Sequence, residues 1–171
     1  RLPGLAGWWG CRKDKQFDMD PEFQPAHGAG AWQVGTAHIL SMAPLAGSLE
    51  LFKAAGMERL RAKSLALTSY LMHLIDSNLA APPYNFAIVT PREPERRGGH
   101  VAVEHKEAVR INSALKRRGV IPDFRPPNLI RLAPVPLYTS FHEVWQVVQH
   151  LKEIMVTKEY EQFKPERDTV A

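Results

Sequence analysis

At Ile39 the chain changes character, and that change limits what it can fold into. The stretch before it contains GLAGWWG, FDMDPEF and PAHGAGAWQVGT, dense in glycine, proline and aromatic residues. Such a composition breaks helices and reads as loops with short extended pieces over residues 1 to about 36. Aromatic-rich loops of this kind are often sites, with the scaffold built elsewhere. Beyond Ile39 the apolar residues fall into helical and strand periods, so a regular domain is expected to follow an irregular one.

The regular part begins with Ile39, Met42, Leu45 and Leu49 at helical spacing, followed by Phe52. Pro44 falls in the first turns, where it is tolerated, and Gly56 is a natural stop. A second helix carries Leu60, Leu67, Leu71, Leu74 and Ile75 on one face and ends near Asn78, before Pro82-Pro83. Asn85 to Thr90 (NFAIVT) reads as a strand, residues 92 to 99 as a charged turn, and HVAVEH as a half-buried strand. Ala108, Ile111 and Leu115 mark a helix closed by Gly119. VIPDF and NLIRLAP are two more short strands, separated by the stiff Arg125-Pro126-Pro127. Ser140 with Glu143 forms a capping box for a last helix. Its stripe is Val144, Val147, Val148, Leu151, Ile154 and Met155, and it frays toward Phe163. Residues 57–171 therefore read as a small α+β domain, a short sheet covered by helices.

Composition excludes little but is consistent. The 44% hydrophobic and 23% charged content is ordinary for a globular protein. No apolar run approaches the roughly 20 residues that span a bilayer. The net charge of +4 is dispersed, with Arg96-Arg97 and Lys116-Arg117-Arg118 the densest clusters, so no continuous basic stripe for nucleic acid is expected. The single Cys11 forms no internal disulfide, and a reducing cytoplasm is the simplest compartment. The seven histidines show no HExxH pattern and no CxxC accompanies them, so no metal site is expected. The chain opens Arg1-Leu2-Pro3-Gly4 without an initiator methionine, which suggests a piece of a longer protein.

Three places carry candidate chemistry. Trp8 and Trp9 lie between Gly7 and Gly10, where a backbone bends sharply and approaches a ligand. An indole N–H only donates, so it suits an anion such as phosphate, and two core aromatics are the alternative. Gly35-Thr36 precedes a helix, so the Thr36 hydroxyl either holds a phosphate near the helix's positive end or caps the helix. Arg131 is the one charge in LIRLAPVPLY, and its guanidinium requires a carboxylate, from the protein or from a substrate held bidentately.

Taken in order, GLAGWWG, FDMDPEFQPAHGAGAWQVGT, GSLELFKAAGMERLRAKSLALTSYL, TPREPERRGGHVAVEH and GVIPDFRPPNLIRLAPVPLYTSFHEVW resemble the kynureninase family across essentially the whole chain. The resemblance implies a fold-type I pyridoxal 5'-phosphate enzyme that hydrolyses L-kynurenine, or 3-hydroxykynurenine, to anthranilate, or its hydroxylated form, and L-alanine. It implies a homodimer, with residues 1–56 as the tail of the large α/β cofactor domain and hinge, and 57–171 as the C-terminal small domain. By position, Trp8 and Thr36 align with residues on the cofactor phosphate, Thr36 reaching across the dimer. The resemblance likewise implies that Trp9 lines the aromatic part of the substrate pocket and that Arg131 clamps the substrate α-carboxylate. Cys11 stands where the family usually has histidine, and Gly35-Thr36-Ala37-His38 replaces the commoner Ser-Asn-Pro-Pro, although a Gly-Thr form also occurs.

No catalytic residue is assigned within the chain. A Schiff-base lysine must be desolvated to lower its pKa, and all nine lysines sit in charged or surface contexts such as Arg12-Lys13-Asp14-Lys15. The family's lysine lies upstream of Arg1, so these residues by themselves are expected to be inactive. Two other readings stand beside this one. One is the small domain of another fold-type I enzyme, such as a cysteine desulfurase-like protein, against which the GWWG and Gly-Thr segments argue. The other is a non-enzymatic interaction module.

Overall fold

The computed structural model describes residues 5–166. The chain divides into two compact units, one ending at Ala54 and the other beginning at Ala55.

The first unit is built from turns. Short 3-10 turns form at Trp8–Gly10 and Gly28–Trp32, and an isolated bridge pairs Cys11 with Pro25. Helix α1 (Ile39–Ala55) follows, with Pro44 tolerated within it. Its first turn closes on the His38 carbonyl, 3.0 Å from the Met42 amide. The helix is where its spacing places it, yet none of its residues is buried. Leu40 and Leu51 lie off the stripe of Ile39, Met42, Leu45 and Leu49, so apolar side chains occur around the whole circumference and no single face is marked.

The second unit opens with α2 (Met57–Asn78), set off by Gly56 at φ 80°, a left-handed conformation that favours glycine. Leu60, Leu67, Leu71, Met72 and Ile75 are buried along one face. The buried Thr68 hydroxyl is satisfied by the Ser64 carbonyl at 2.9 Å. Four strands form one antiparallel sheet in the order β1-β2-β4-β3: β1 (Ala87–Ile88), β2 (Val101–Glu104), β3 (Asp123–Arg125) and β4 (Leu129–Leu132). Register places Val101 opposite Leu132 and Val103 opposite Ile130, so these four side chains share the buried face. Helices α2, α3 (Ala108–Arg117) and α4 (Phe141–Val156) supply Leu71, Ile111, Leu115, Val148, Leu151 and Ile154 to the same core. Each fully buried Val, Leu or Ile contributes about 1.5–3 kcal/mol relative to exposure. The other sheet face carries Ala102, Glu104, Leu129 and Arg131, the alternation of an antiparallel sheet covered on one side.

Two expectations are corrected. The run Asn85 to Thr90 forms only the two-residue β1. Asn85 is left-handed at φ 56°, and the Thr90 hydroxyl, accepting from the Ala102 amide at 2.8 Å, stands in for a ladder carbonyl. The last helix stops at Val156 and does not fray to Phe163. Lys158 at φ 55° breaks it, and a 3-10 turn, Glu159–Gln162, packs back. Its start is as expected: the Glu143 amide donates to Ser140 Oγ at 3.2 Å, and Glu143 Oε2 accepts from the Ser140 amide at 2.7 Å.

Candidate functional site

In the first unit, residues 10–12 are stitched onto residues 24–26 by backbone hydrogen bonds. Ala26 N donates to Gly10 O and Arg12 N donates to Gln24 O, both at 2.8 Å. The two glycines flanking the tryptophans make this possible. A Cβ on Gly7 would lie 2.3 Å from the Val34 carbonyl oxygen, and one on Gly10 would lie 2.8 Å from that of Ala31. The glycines thus admit the chain's own backbone, where the sequence suggested room for a ligand. Their effect on the site is indirect, because they let two distant segments meet.

What they bring together is Trp9 and Thr36. The Trp9 indole Nε1 donates to Thr36 Oγ1 at 3.1 Å, across 27 residues of sequence. Thr36 is therefore not the cap of α1, whose first turn closes on His38. Lys13 braces the indole: its ammonium lies 4.8 Å from the ring centroid and donates to the Trp9 carbonyl at 3.0 Å. Trp8 points elsewhere. It packs edge-on against Phe17 at 5.2 Å, and its carbonyl accepts from Gln16 Nε2 at 3.0 Å. Trp8 lines an open cavity of about 430 Å³ with Lys15, Gln16, Phe23 and two carboxylates, Asp20 and Glu22. Among the described residues its indole N–H has no acceptor, and the side chain is half exposed. Neither tryptophan is a core residue. The donors in this unit (an unsatisfied indole N–H, an exposed hydroxyl and a nearby ammonium) suit an oxyanion.

Arg131 belongs to the second unit and sits on the uncovered sheet face, between buried Ile130 and Leu132. Its Nε donates to Asp123 Oδ2 at 2.8 Å, and its Nη2 bonds the same oxygen. Asp123 also accepts from Arg125 Nε at 3.0 Å. The Arg131 hydrogen bond, assisted by Arg125, holds the Asp123 carboxyl below the usual carboxylate range against a smaller desolvation effect. The required carboxylate is thus a protein one here. It engages one edge of the guanidinium and leaves Nη1 without a partner among the described residues.

The sequence pattern gave Asp123 no role and placed Lys13 only among the surface lysines. Asp123 was recoverable, since a hairpin turning at Pro127 pairs residues 123 and 131 across β3 and β4. Lys13 carried no signal, because its role depends on where Trp9 lies. Of the other titratable groups, His105 is buried, stacked on Phe86 at 4.6 Å, with Nδ1 accepting from the Glu107 amide at 3.0 Å. Burial pushes its pKa below the ordinary histidine value, partly opposed by a backbone hydrogen bond at Tyr84. It is a satisfied structural histidine. A second cavity of about 160 Å³ beside the end of β4 is lined by Leu71, Ile121, Leu132, Val144 and Val147, with Glu143 its one carboxylate. That carboxylate is committed to capping α4. None of the nine lysines is buried. Among the described residues no group of three or more His, Cys, Asp or Glu is placed to hold a metal, and no helix is long and apolar enough to cross a membrane.

Residues 60–151 match the family model described as the kynureninase C-terminal domain. A protein named kynureninase from Geobacillus thermodenitrificans is 58% identical over 169 residues, covering 99% of this chain and 39% of that protein. One of the same name from Bacillus thuringiensis subsp. konkukian is 59% identical over 171 residues, covering 100% of this chain and 40% of that protein. A third, from Shouchella clausii, is 56% identical over 171 residues. The chain thus spans about 40% of the length of the curated relatives it matches.

Proposed function

This chain belongs to the kynureninase family, and we propose that it is the C-terminal part of an enzyme hydrolysing the Cβ–Cγ bond of L-kynurenine or 3-hydroxykynurenine. The products are anthranilate, or 3-hydroxyanthranilate, and L-alanine, in tryptophan catabolism. The reading is supported by one observation above the others: Trp9 and Thr36, distant in sequence, meet so that the exposed Thr36 hydroxyl keeps its proton for an anion, in a chain whose whole length matches proteins named kynureninase.

The donor set fits pyridoxal 5'-phosphate at its phosphate end. Trp8 would give its unpaired indole N–H and Thr36 its hydroxyl to the phosphate oxygens, each a donor toward a full anionic charge. When bound, the cofactor supplies the electron sink for the cleavage. Trp9 lines the aromatic part of the substrate pocket. Arg131, held from one edge by Asp123, offers its remaining N–H groups to the substrate α-carboxylate. In this reading the residues hold and orient, and the reactive lysine comes from outside residues 1–171, because a lysine that attacks at neutral pH needs a desolvated setting. The complete enzyme is a cytoplasmic fold-type I homodimer. Residues 1–56 are the end of its large domain and 57–171 its small domain.

Titrating the purified chain with pyridoxal phosphate, followed by borohydride trapping and peptide mapping, tests the division of labour. Weak binding that Trp8→Phe or Thr36→Val abolishes, with no trapped lysine, is expected. A stoichiometric adduct on one lysine overturns it. Kynurenine turnover by the complete enzyme, against none with cysteine, separates this reading from a desulfurase-like one.

A further inference from the structure

A threonine hydroxyl has one proton to donate and two lone pairs to accept with, whereas an indole N–H has only its proton. In the 3.1 Å contact between them, Trp9 is therefore the donor and Thr36 Oγ1 the acceptor. The Thr36 proton is left over. Among the described residues it has no acceptor, and Thr36 is exposed. A hydroxyl that is already accepting is polarised, which makes it a stronger donor in turn. The indole cannot turn away easily. Lys13 covers its face and bonds its carbonyl, and Gly7 and Gly10 seat its backbone against residues 31–34.

From this geometry we infer that Trp9 is a positioning residue for Thr36: it occupies a lone pair of the hydroxyl and so commits Thr36 to donating its proton to a phosphate oxygen. Without the indole N–H, the Thr36 hydroxyl samples other rotamers and both hydrogen-bonding senses, and in the accepting sense it offers an anion nothing. The inference rests on the reading of Thr36 as a phosphate contact. It adds to Trp9 a role that a phenylalanine of similar shape does not fill.

The test uses the complete enzyme in its cofactor-free form, with dissociation constants for pyridoxal phosphate and for phosphate-free pyridoxal measured by equilibrium dialysis. Thr36→Val should weaken pyridoxal phosphate binding about tenfold or more, the loss of a hydrogen bond to a charged group. Trp9→Phe should weaken it about three- to tenfold. The double variant should be no worse than Thr36→Val, because Trp9 acts through the hydroxyl. Pyridoxal affinity should not change, and Thr36→Ser, which keeps the hydroxyl, should restore binding. If Thr36→Val weakens binding but Trp9→Phe does not, or the two losses add, the positioning role is wrong while the phosphate contact stands. If Thr36→Val has no effect, the phosphate contact itself is wrong and the inference falls with it. Should Trp9→Phe not fold, the Trp9 indole N–H resonance in the 171-residue chain gives the answer. Thr36→Val must shift it upfield, and an unmoved resonance overturns the pairing.

Discussion

Asp123 and Arg131 face each other across β3 and β4 as register partners, the Arg131 Nε 2.8 Å from Asp123 Oδ2. The carboxylate takes one edge of the guanidinium and fixes the direction of the rest. Ala102, the register partner of Arg131 on β2, is too small to cover it.

In the complete enzyme, Arg131→Lys should lower kcat/KM for kynurenine about 10–100-fold, mostly through KM, because an ammonium cannot reproduce a planar two-point contact. The half-exposed pair contributes at most about 1 kcal/mol to stability, so thermal unfolding should barely move. An unchanged KM would remove Arg131 from the substrate site.

Gly7→Ala puts a Cβ 2.3 Å from the Val34 carbonyl oxygen, a distance that side-chain motion cannot relieve because the neighbour is backbone. The segment must part from residues 31–34, and Trp9 then loses Thr36. Pyridoxal phosphate affinity of the complete enzyme should fall at least as far as in Thr36→Val. Wild-type affinity in Gly7→Ala would mean that the seating is irrelevant to the site.

His105 makes the second unit acid-sensitive. Its folded pKa lies below the unfolded value near 6.5, so the unfolded chain binds more protons. Its contribution to stability is intact above about pH 6.5 and is lost as pH falls from there toward the folded pKa. Melting temperature measured from pH 7.5 down to 5.5 should decline, and His105→Gln should flatten that decline.

Glu159 is buried and bonds Arg117 at 2.7 Å and Arg118 at 2.6 Å, joining α3 to the turn after α4. Arg118 first, and then Arg117, hold its carboxyl below the usual range against desolvation. Glu159→Gln should cost about 1–3 kcal/mol in urea unfolding, since two guanidiniums lose their anion. The carboxyl's own contribution is present above the unfolded value near 4.3 and disappears as pH falls through the folded one.

Helix α1 leaves Ile39, Leu40 and Leu51 at 74%, 90% and 64% exposure, and Phe17 and Met19 are also bare. An apolar surface of this kind is a contact surface. The chain should self-associate in light scattering and bind a hydrophobic dye, and Leu40→Glu with Leu51→Glu should reduce both. A monodisperse monomer that ignores the dye would contradict this.

Much of the second unit was legible in the sequence because its signals are local. The Ser140–Glu143 box spans four residues, Gly119 ends α3, and the spacing of Leu67, Leu71 and Ile75 is the helical period itself. Where β1 and α4 were overextended, single backbone conformations at Asn85 and Lys158 decided the boundary. Apolar periodicity carries no trace of those.

From sequence by itself came the α+β class, the helix positions, the family and the residue types able to hold an anion, since these follow from short-range pattern and chemical identity. The partner of each candidate was a tertiary matter. Trp9 rather than Trp8 meets Thr36, the flanking glycines admit backbone rather than ligand, and Asp123 answers Arg131. Each of those contacts joins groups separated along the chain, and close packing selects one partner among several of equal chemistry.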